Sequence, residues 1–166
     1  MNKWTEGHIH VAMRKILKLK GWRLIAGEYP GGSDHELYPL NIIDPTLARD
    51  RSPDPRRHSL GELIPDLVAL KGRDLIIAEA KVNFNLPDLE KLKYLISERN
   101  ADLMTALAKF SDERGFPEIQ PLRTLNLHPT LVFVDSGSIR VPDINFSHLL
   151  ISSRDIGRFT GCLKEK

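Results

Sequence analysis

Residues 64–82 read IPDLVALKGRDLIIAEAKV, two apolar runs joined through Lys71-Gly72-Arg73-Asp74. Their density of Leu, Ile, Val and Ala predicts buried strands over Leu63–Leu70 and Asp74–Val82, folded back on each other by the KGRD turn. Closing that turn on Gly72-Arg73 sets Leu70 against Leu75, Val68 against Ile77 and Asp66 against Glu79. Side chains alternate between faces with a period of two, which puts Lys81 on the side of Glu79. One face of the hairpin is then apolar beside the turn and charged at its open end.

Directly opposed strand residues have Cβ atoms about 4.5 to 5.5 Å apart. Two carboxylates near 5 Å, at an effective dielectric of about 20, repel by roughly 3 kcal/mol. Lys81 offsets part of this. A divalent cation between the acids offsets more, and hard oxygen ligands suit Mg²⁺, with Mn²⁺ as a substitute. A metal held this way polarises a phosphoryl oxygen, lowers the pKa of its water and shields a pentacovalent transition state. Lys81 would orient or help deprotonate the attacking water; burial lowers its pKa and the acids raise it, and the sequence leaves that balance open.

Outward from the hairpin, Ile9, Ala12, Met13, Ile16 and Leu17 recur at helical spacing, predicting an amphipathic helix from Thr5 to Lys20 with Thr5 as N-cap and Gly21 as stop. WRLIAGEY (22–29) reads as a first strand. From Tyr29 to Gly61 the periodicity vanishes and Pro, Gly, Asp, Ser and Arg accumulate in a long basic loop. Asn85–Gly115 reads as two helices, striped by Leu89, Leu92 and Ile96 and then by Leu103, Leu107 and Phe110. TLVFVDS (130–136) is a buried strand, Gly137-Ser138 a turn and IRV (139–141) a return strand; HLLIS (148–152) is a further strand, and Ser153 caps a last short helix through Cys162. Strands apolar on both faces, with helices between them, predict an α/β fold: one domain over residues 1–166, its mixed sheet covered by helices.

The sequence Pro65-Asp66, twelve residues, then Glu79-Ala80-Lys81 resembles the signature of the PD-(D/E)XK nuclease superfamily. The resemblance implies a restriction-endonuclease-like core over most of Thr5–Asp135. It also implies Mg²⁺ bound by Asp66, Glu79 and the Ala80 carbonyl, with Lys81 assisting the nucleophilic water. The family often adds a glutamate from its first helix. Glu6, three residues before Ile9 and seven before Met13, lies near the sheet-facing stripe and fits that role. The implied activity is a Mg²⁺-dependent endodeoxyribonuclease, most like a small type II restriction endonuclease or a junction or repair nuclease. Cutting both strands of DNA would call for a homodimer or partner subunit.

Total charge says less than its distribution: 24 basic against 22 acidic residues leave +2. Arg49, Arg51, Arg56, Arg57 and His58 form a basic cluster that reads equally as a clamp on a DNA backbone or groove and as a solvated, disordered loop. Lys91 and Lys93 read as the solvated face of a helix. His8 and His10, two apart on a helix, point to different sides and read as surface or supporting residues. Asp34, His35 and Glu36 read as a solvated turn. Cys162 is the single cysteine, which excludes an internal disulfide and a multi-cysteine zinc site. No apolar run is long enough to span a bilayer and the N-terminus lacks a secretory core, so a cytoplasmic protein is expected. P-loop, GxSxG, HExxH and GxGxxG motifs are absent. Two other classes stay open: a catalytically idle nucleic-acid-binding or assembly module on a nuclease-like sheet, and an interaction domain unrelated to nucleic acid.

Overall fold

A computed structural model describes residues 3–29, 32–42, 62–137 and 146–163. Helix α1 (Glu6–Leu19) starts where the Thr5 hydroxyl accepts the His8 N–H and His8 Nδ1 accepts the Thr5 N–H in return, satisfying two otherwise orphaned donors. It leads into β1 (Arg23–Tyr29), β2 (Gly32–His35), β3 (Leu67–Lys71) and β4 (Asp74–Ala80). Helices α2 (Leu86–Ile96) and α3 (Asn100–Arg114) cross over to β5 (Asn126–Val134), followed by β6 (Ser147–Ile151) and β7 (Gly157–Gly161). The seven strands form one mixed sheet in the order β2-β1-β3-β4-β5-β6-β7, in which β4, β5 and β6 run parallel.

The helices cover both faces, and the alternation of the central strands decides which residues each face receives. Leu67, Ala69, Ile76, Ala78, Ala80 and Val132 pack beneath Ile9, Met13, Ile16 and Leu17 of α1. Val68, Leu70, Leu75, Ile77, Leu131 and Phe133 face Leu89, Leu92, Leu103, Leu107 and Phe110 of α2 and α3. Strands buried on both faces have no polar alternation to display, which is why they read as continuous apolar runs. The β3–β4 hairpin has the expected register, Leu70 opposite Leu75 and Val68 opposite Ile77, turned by Gly72 at φ 62°.

Two stretches fold otherwise than their sequence suggests. Within the Tyr29–Gly61 segment, β2 pairs antiparallel with β1, and Tyr38–Leu40 forms a 3₁₀ turn. β2 is exposed along its whole length, so it lacks the apolar alternation that marks a strand. The segment expected to be a terminal helix contains β7 instead, paired antiparallel with β6. Ser153 caps nothing there. Its hydroxyl donates to Asp155, and the N–H groups of Ser152 and Ser153 both donate to the Ile156 carbonyl, closing a turn. The return strand read at 139–141 lies outside the described residues, as do Arg49, Arg51, Arg56, Arg57 and His58 of the basic cluster. Among the described residues no helix is long and apolar enough to cross a membrane.

Candidate active site

The open end of the β3–β4 hairpin gathers charge from four elements. Asp66 stands just ahead of β3, Glu79 and Ala80 end β4, Glu6 opens α1, and Asp88 and Lys91 lie in the first half of α2. Helices α1 and α2 both begin at this rim, so their positive dipole ends meet where the C-terminal end of β4 stops. A crevice outside the carboxyl ends of parallel strands is where open α/β sheets commonly bind ligands.

The ladder slips by one residue here. The Asp66 N–H donates to the Ala78 carbonyl at 2.9 Å, and the Ala80 N–H donates to Asp66 Oδ2 at 2.8 Å. Asp66 therefore does not stand directly opposite Glu79 as an in-register partner; its carboxylate reaches across to the Ala80 backbone. A strand residue presents its N–H and C=O to the same neighbour, so the Ala80 carbonyl leaves β4 on the Asp66 side. On the α1 side, His10 is buried and its Nε2 lies 3.8 Å from Asp66 Oδ2, beyond hydrogen-bond distance.

Glu79 is turned toward α2 and only 4% exposed. Lys91 Nζ donates to its Oε1 at 2.6 Å and to the Ile64 carbonyl at 2.8 Å. Burial and, after it, the nearby Asp66 charge push the Glu79 carboxyl up to about 8, against the opposing pull of Lys91. Glu28 at the end of β1 is raised as well, first by burial and then by Asp66 and Glu62. Asp88 is raised by burial, against Lys81 and Lys91. Glu79, Glu28 and Asp88 thus hold their protons more tightly than exposed acids do.

Lys81 does not pair with Glu79. It follows the last residue of β4, and its ammonium meets Glu6 of α1 at 2.7 Å. Burial would lower the Lys81 ammonium, but the Glu6 hydrogen bond and charge, with Asp66 and Asp88, outweigh it, and the net shift is upward. The balance left open by sequence falls on the side of the acids. Lys81 is a fixed cation and a hydrogen-bond donor at neutral pH.

Asp66, Glu79, Lys81 and Glu6 thus share one rim, with Glu6 paired to Lys81 and Glu79 to Lys91. Lys91, expected on a solvated face, is the residue that sequence reasoning misplaced. It follows Asp88 by three and precedes the buried Leu95 by four, spacing that sets it at the edge of the helix's inward stripe. His8 is exposed and used in the α1 cap, whereas His10 faces inward. Asp34 and Glu36 are committed elsewhere, to Arg14 at 2.9 Å and Arg114 at 3.0 Å.

The hard oxygens at this rim are the Asp66 carboxylate, beside His10 of α1, the Glu79 carboxylate, turned to Lys91 of α2, and the Ala80 carbonyl. The Lys91 ammonium already bridges Glu79 and the Ile64 carbonyl, so a cation bound to Glu79 would have to displace it. In the present side-chain arrangement no three His, Cys, Asp or Glu side chains among the described residues converge closely enough to hold a metal ion. Searches of family models, curated proteins and solved structures return no match to this chain.

Proposed function

We propose that the protein is a Mg²⁺-dependent endodeoxyribonuclease that hydrolyses phosphodiester bonds at the rim formed by Glu6, Asp66, Glu79 and Lys81. The observation that carries this reading is the meeting of these four residues with a buried Glu79 carboxyl raised to about 8. An apolar environment that disfavours the charge of Glu79 is costly to a folded protein, and perturbed carboxyls of this kind concentrate at functional sites. The resemblance to the PD-(D/E)XK signature, residue by residue, supports the same assignment.

Each residue then has a task. Asp66, fixed by the Ala80 N–H, and Glu79, once deprotonated, hold the metal together with the Ala80 carbonyl. Bound Mg²⁺ supplies Lewis-acid polarisation of the phosphate and a more acidic water. Lys81, held as an ammonium by Glu6, donates hydrogen bonds to the attacking water or to the phosphoryl oxygens and does not serve as the base. The N-termini of α1 and α2 favour the phosphate itself. Metal entry has to displace the Glu79 proton and the Lys91 contact, so metal affinity climbs with pH toward about 8.

A catalytically idle nucleic-acid-binding module is the second reading. The observation in its favour is the pairing of Glu79 with Lys91 and of Glu6 with Lys81, which balances charge at the rim without a metal. Incubating supercoiled plasmid, a branched junction and single-stranded DNA with protein in Mg²⁺, Mn²⁺ or EDTA separates the two. Cleavage that needs metal and is lost in Asp66→Asn and Lys81→Ala is expected; binding without cutting in either metal would replace the nuclease with the idle module. Size-exclusion chromatography with and without DNA tests the homodimer that duplex cleavage requires, and a monomer under both conditions would remove it.

A further inference from the structure

Beside the rim, at the start of α1, lies a separate cavity of about 220 Å³ lined by Trp4, His8, Ser152, Ser153 and Arg154. It is smaller than the about 300–1,000 Å³ of pockets that take drug-sized ligands. We propose that this cavity holds one unpaired nucleotide of a DNA strand, its base against Trp4 and its phosphate at Arg154. The proposal rests on the nuclease reading for its substrate and adds that the preferred DNA has a single-stranded or frayed segment.

The walls are built for a flat, anionic guest. Trp4 packs one part of its ring on the apolar layer under α1 and leaves the rest half-exposed toward the cavity. His8 stands edge-on to it, with ring centroids 6.4 Å apart and planes at 79°. Its Nδ1 is engaged by the Thr5 N–H, which holds the ring in place and makes Nε2 the protonated nitrogen of the neutral imidazole. On the opposite wall the Ser152–Ile156 turn is closed by two backbone bonds to the Ile156 carbonyl and tied to α1 through Lys15 and Asp155 at 3.3 Å. Arg154, at the tip of that turn, is exposed and makes no ion pair with a described residue. An aromatic face, hydroxyls and a free guanidinium on a fixed frame are the groups that bind single-stranded nucleic acid through stacking and phosphate contacts.

Position links the cavity to the site. Trp4 precedes Glu6 by two residues, a stretch of chain that spans at most about 7 Å. A base stacked on Trp4 and a phosphate at the rim can therefore belong to one strand.

Trp4 reports on its own occupancy. The chain has two tryptophans, Trp4 and the buried Trp22, so Trp22→Phe makes Trp4 the single emitter. Titration in EDTA with a short oligothymidylate, a blunt duplex of equal length and free thymidine monophosphate is expected to quench Trp4 fluorescence with the oligothymidylate at far lower concentration than with the other two. In the otherwise unaltered protein, Trp4→Ala and Arg154→Ala should each weaken anisotropy-monitored binding of labelled oligothymidylate about tenfold, with less than a twofold change for duplex and partial recovery in Trp4→Phe. No quenching, an equal loss for duplex and single strand, or a mononucleotide that binds as tightly as the strand would each overturn the proposal. Plasmid cleavage in Mg²⁺ on the same preparations keeps the two readings apart. Cleavage without quenching fails the cavity alone, and quenching without cleavage fails the nuclease while the cavity stands.

Discussion

The two ends of the β3–β4 hairpin receive the same residue types and treat them in opposite ways. At the turn, Asp74 accepts hydrogen bonds from His128 Nε2 at 2.9 Å and Asn126 Nδ2 at 3.0 Å, and the His128 bond leads the effects that hold its carboxyl below the ordinary value. Arg73 beside it donates to the carbonyls of Glu118, Ile119, Gln120 and Pro121, fastening the segment before β5 to the hairpin. At the open end, Glu79 is buried, raised and repelled by Asp66, and the histidine nearest to Asp66 stays 3.8 Å away. The turn end meets its carboxylate with hydrogen bonds, whereas at the open end burial and Asp66 work against the pairing of Glu79 with Lys91, a conflict within one site. A fold retains such conflict at some cost in stability, and the end that bears it is where a function should be sought.

Neutralising the conflicted end should produce the largest effect. Glu79→Gln keeps the volume and an acceptor for Lys91 but removes a metal-binding anion, so plasmid cleavage in Mg²⁺ is expected to fall by a factor of about 100 or more. Stability should move the other way at alkaline pH. Glu79 binds its proton more tightly in the folded chain than in the unfolded one, so its contribution is complete below its ordinary value of 4.5 and lost as the pH rises through about 8. In urea titrations the wild-type protein should lose stability over that window, by up to several kcal/mol, because each tenfold difference in proton affinity between the folded and unfolded chain is worth about 1.4 kcal/mol. Glu79→Gln should lack this decline. A Glu79→Gln protein that still cuts DNA, or that keeps the decline, breaks the contrast between the two ends.

Arg73→Ala strikes the satisfied end and should invert the pattern. Loss of a guanidinium serving four carbonyls is expected to cost about 2–3 kcal/mol in urea unfolding, while cleavage per folded molecule changes less than twofold. This role is not visible in the sequence, where Arg73 is a turn residue. Its four acceptors lie some 45 to 48 positions away, and no local period signals contacts of that range. Much else was legible, because burial on both faces writes itself into the strands as apolar runs. The hairpin register, the α1 cap at Thr5 and the two crossover helices all follow from local rules. At the rim, local rules stop where the ladder stops. The partner of the Lys81 ammonium, Glu6, sits on another helix, and no period within β4 signals it. Lys91 looked solvated because its counter-charge, Glu79, sits on another element twelve residues earlier. β2 and β7 stayed hidden for a related reason: an edge strand without an apolar face is specified by the strand it joins, and its own residues carry little of the pattern.

The smallest test probes whether the turn end is as settled as its hydrogen bonds suggest. His128→Ala removes the leading support of the Asp74 carboxylate, which is 43% exposed, so solvent limits the expected loss near pH 7 to about 0.5–1 kcal/mol. The sign of its pH dependence is opposite to that of Glu79. Asp74 has a depressed folded value, so its contribution is present above the ordinary 3.8 and disappears as the pH falls through the folded value. Wild-type and His128→Ala unfolding curves should therefore converge in acid, whereas wild-type and Glu79→Gln should converge below 4.5 and separate toward 8. If the His128→Ala difference instead persists unchanged into acid, His128 supports the fold by packing against β4 and not by holding the charge of Asp74, and the turn end owes its stability to Arg73 alone.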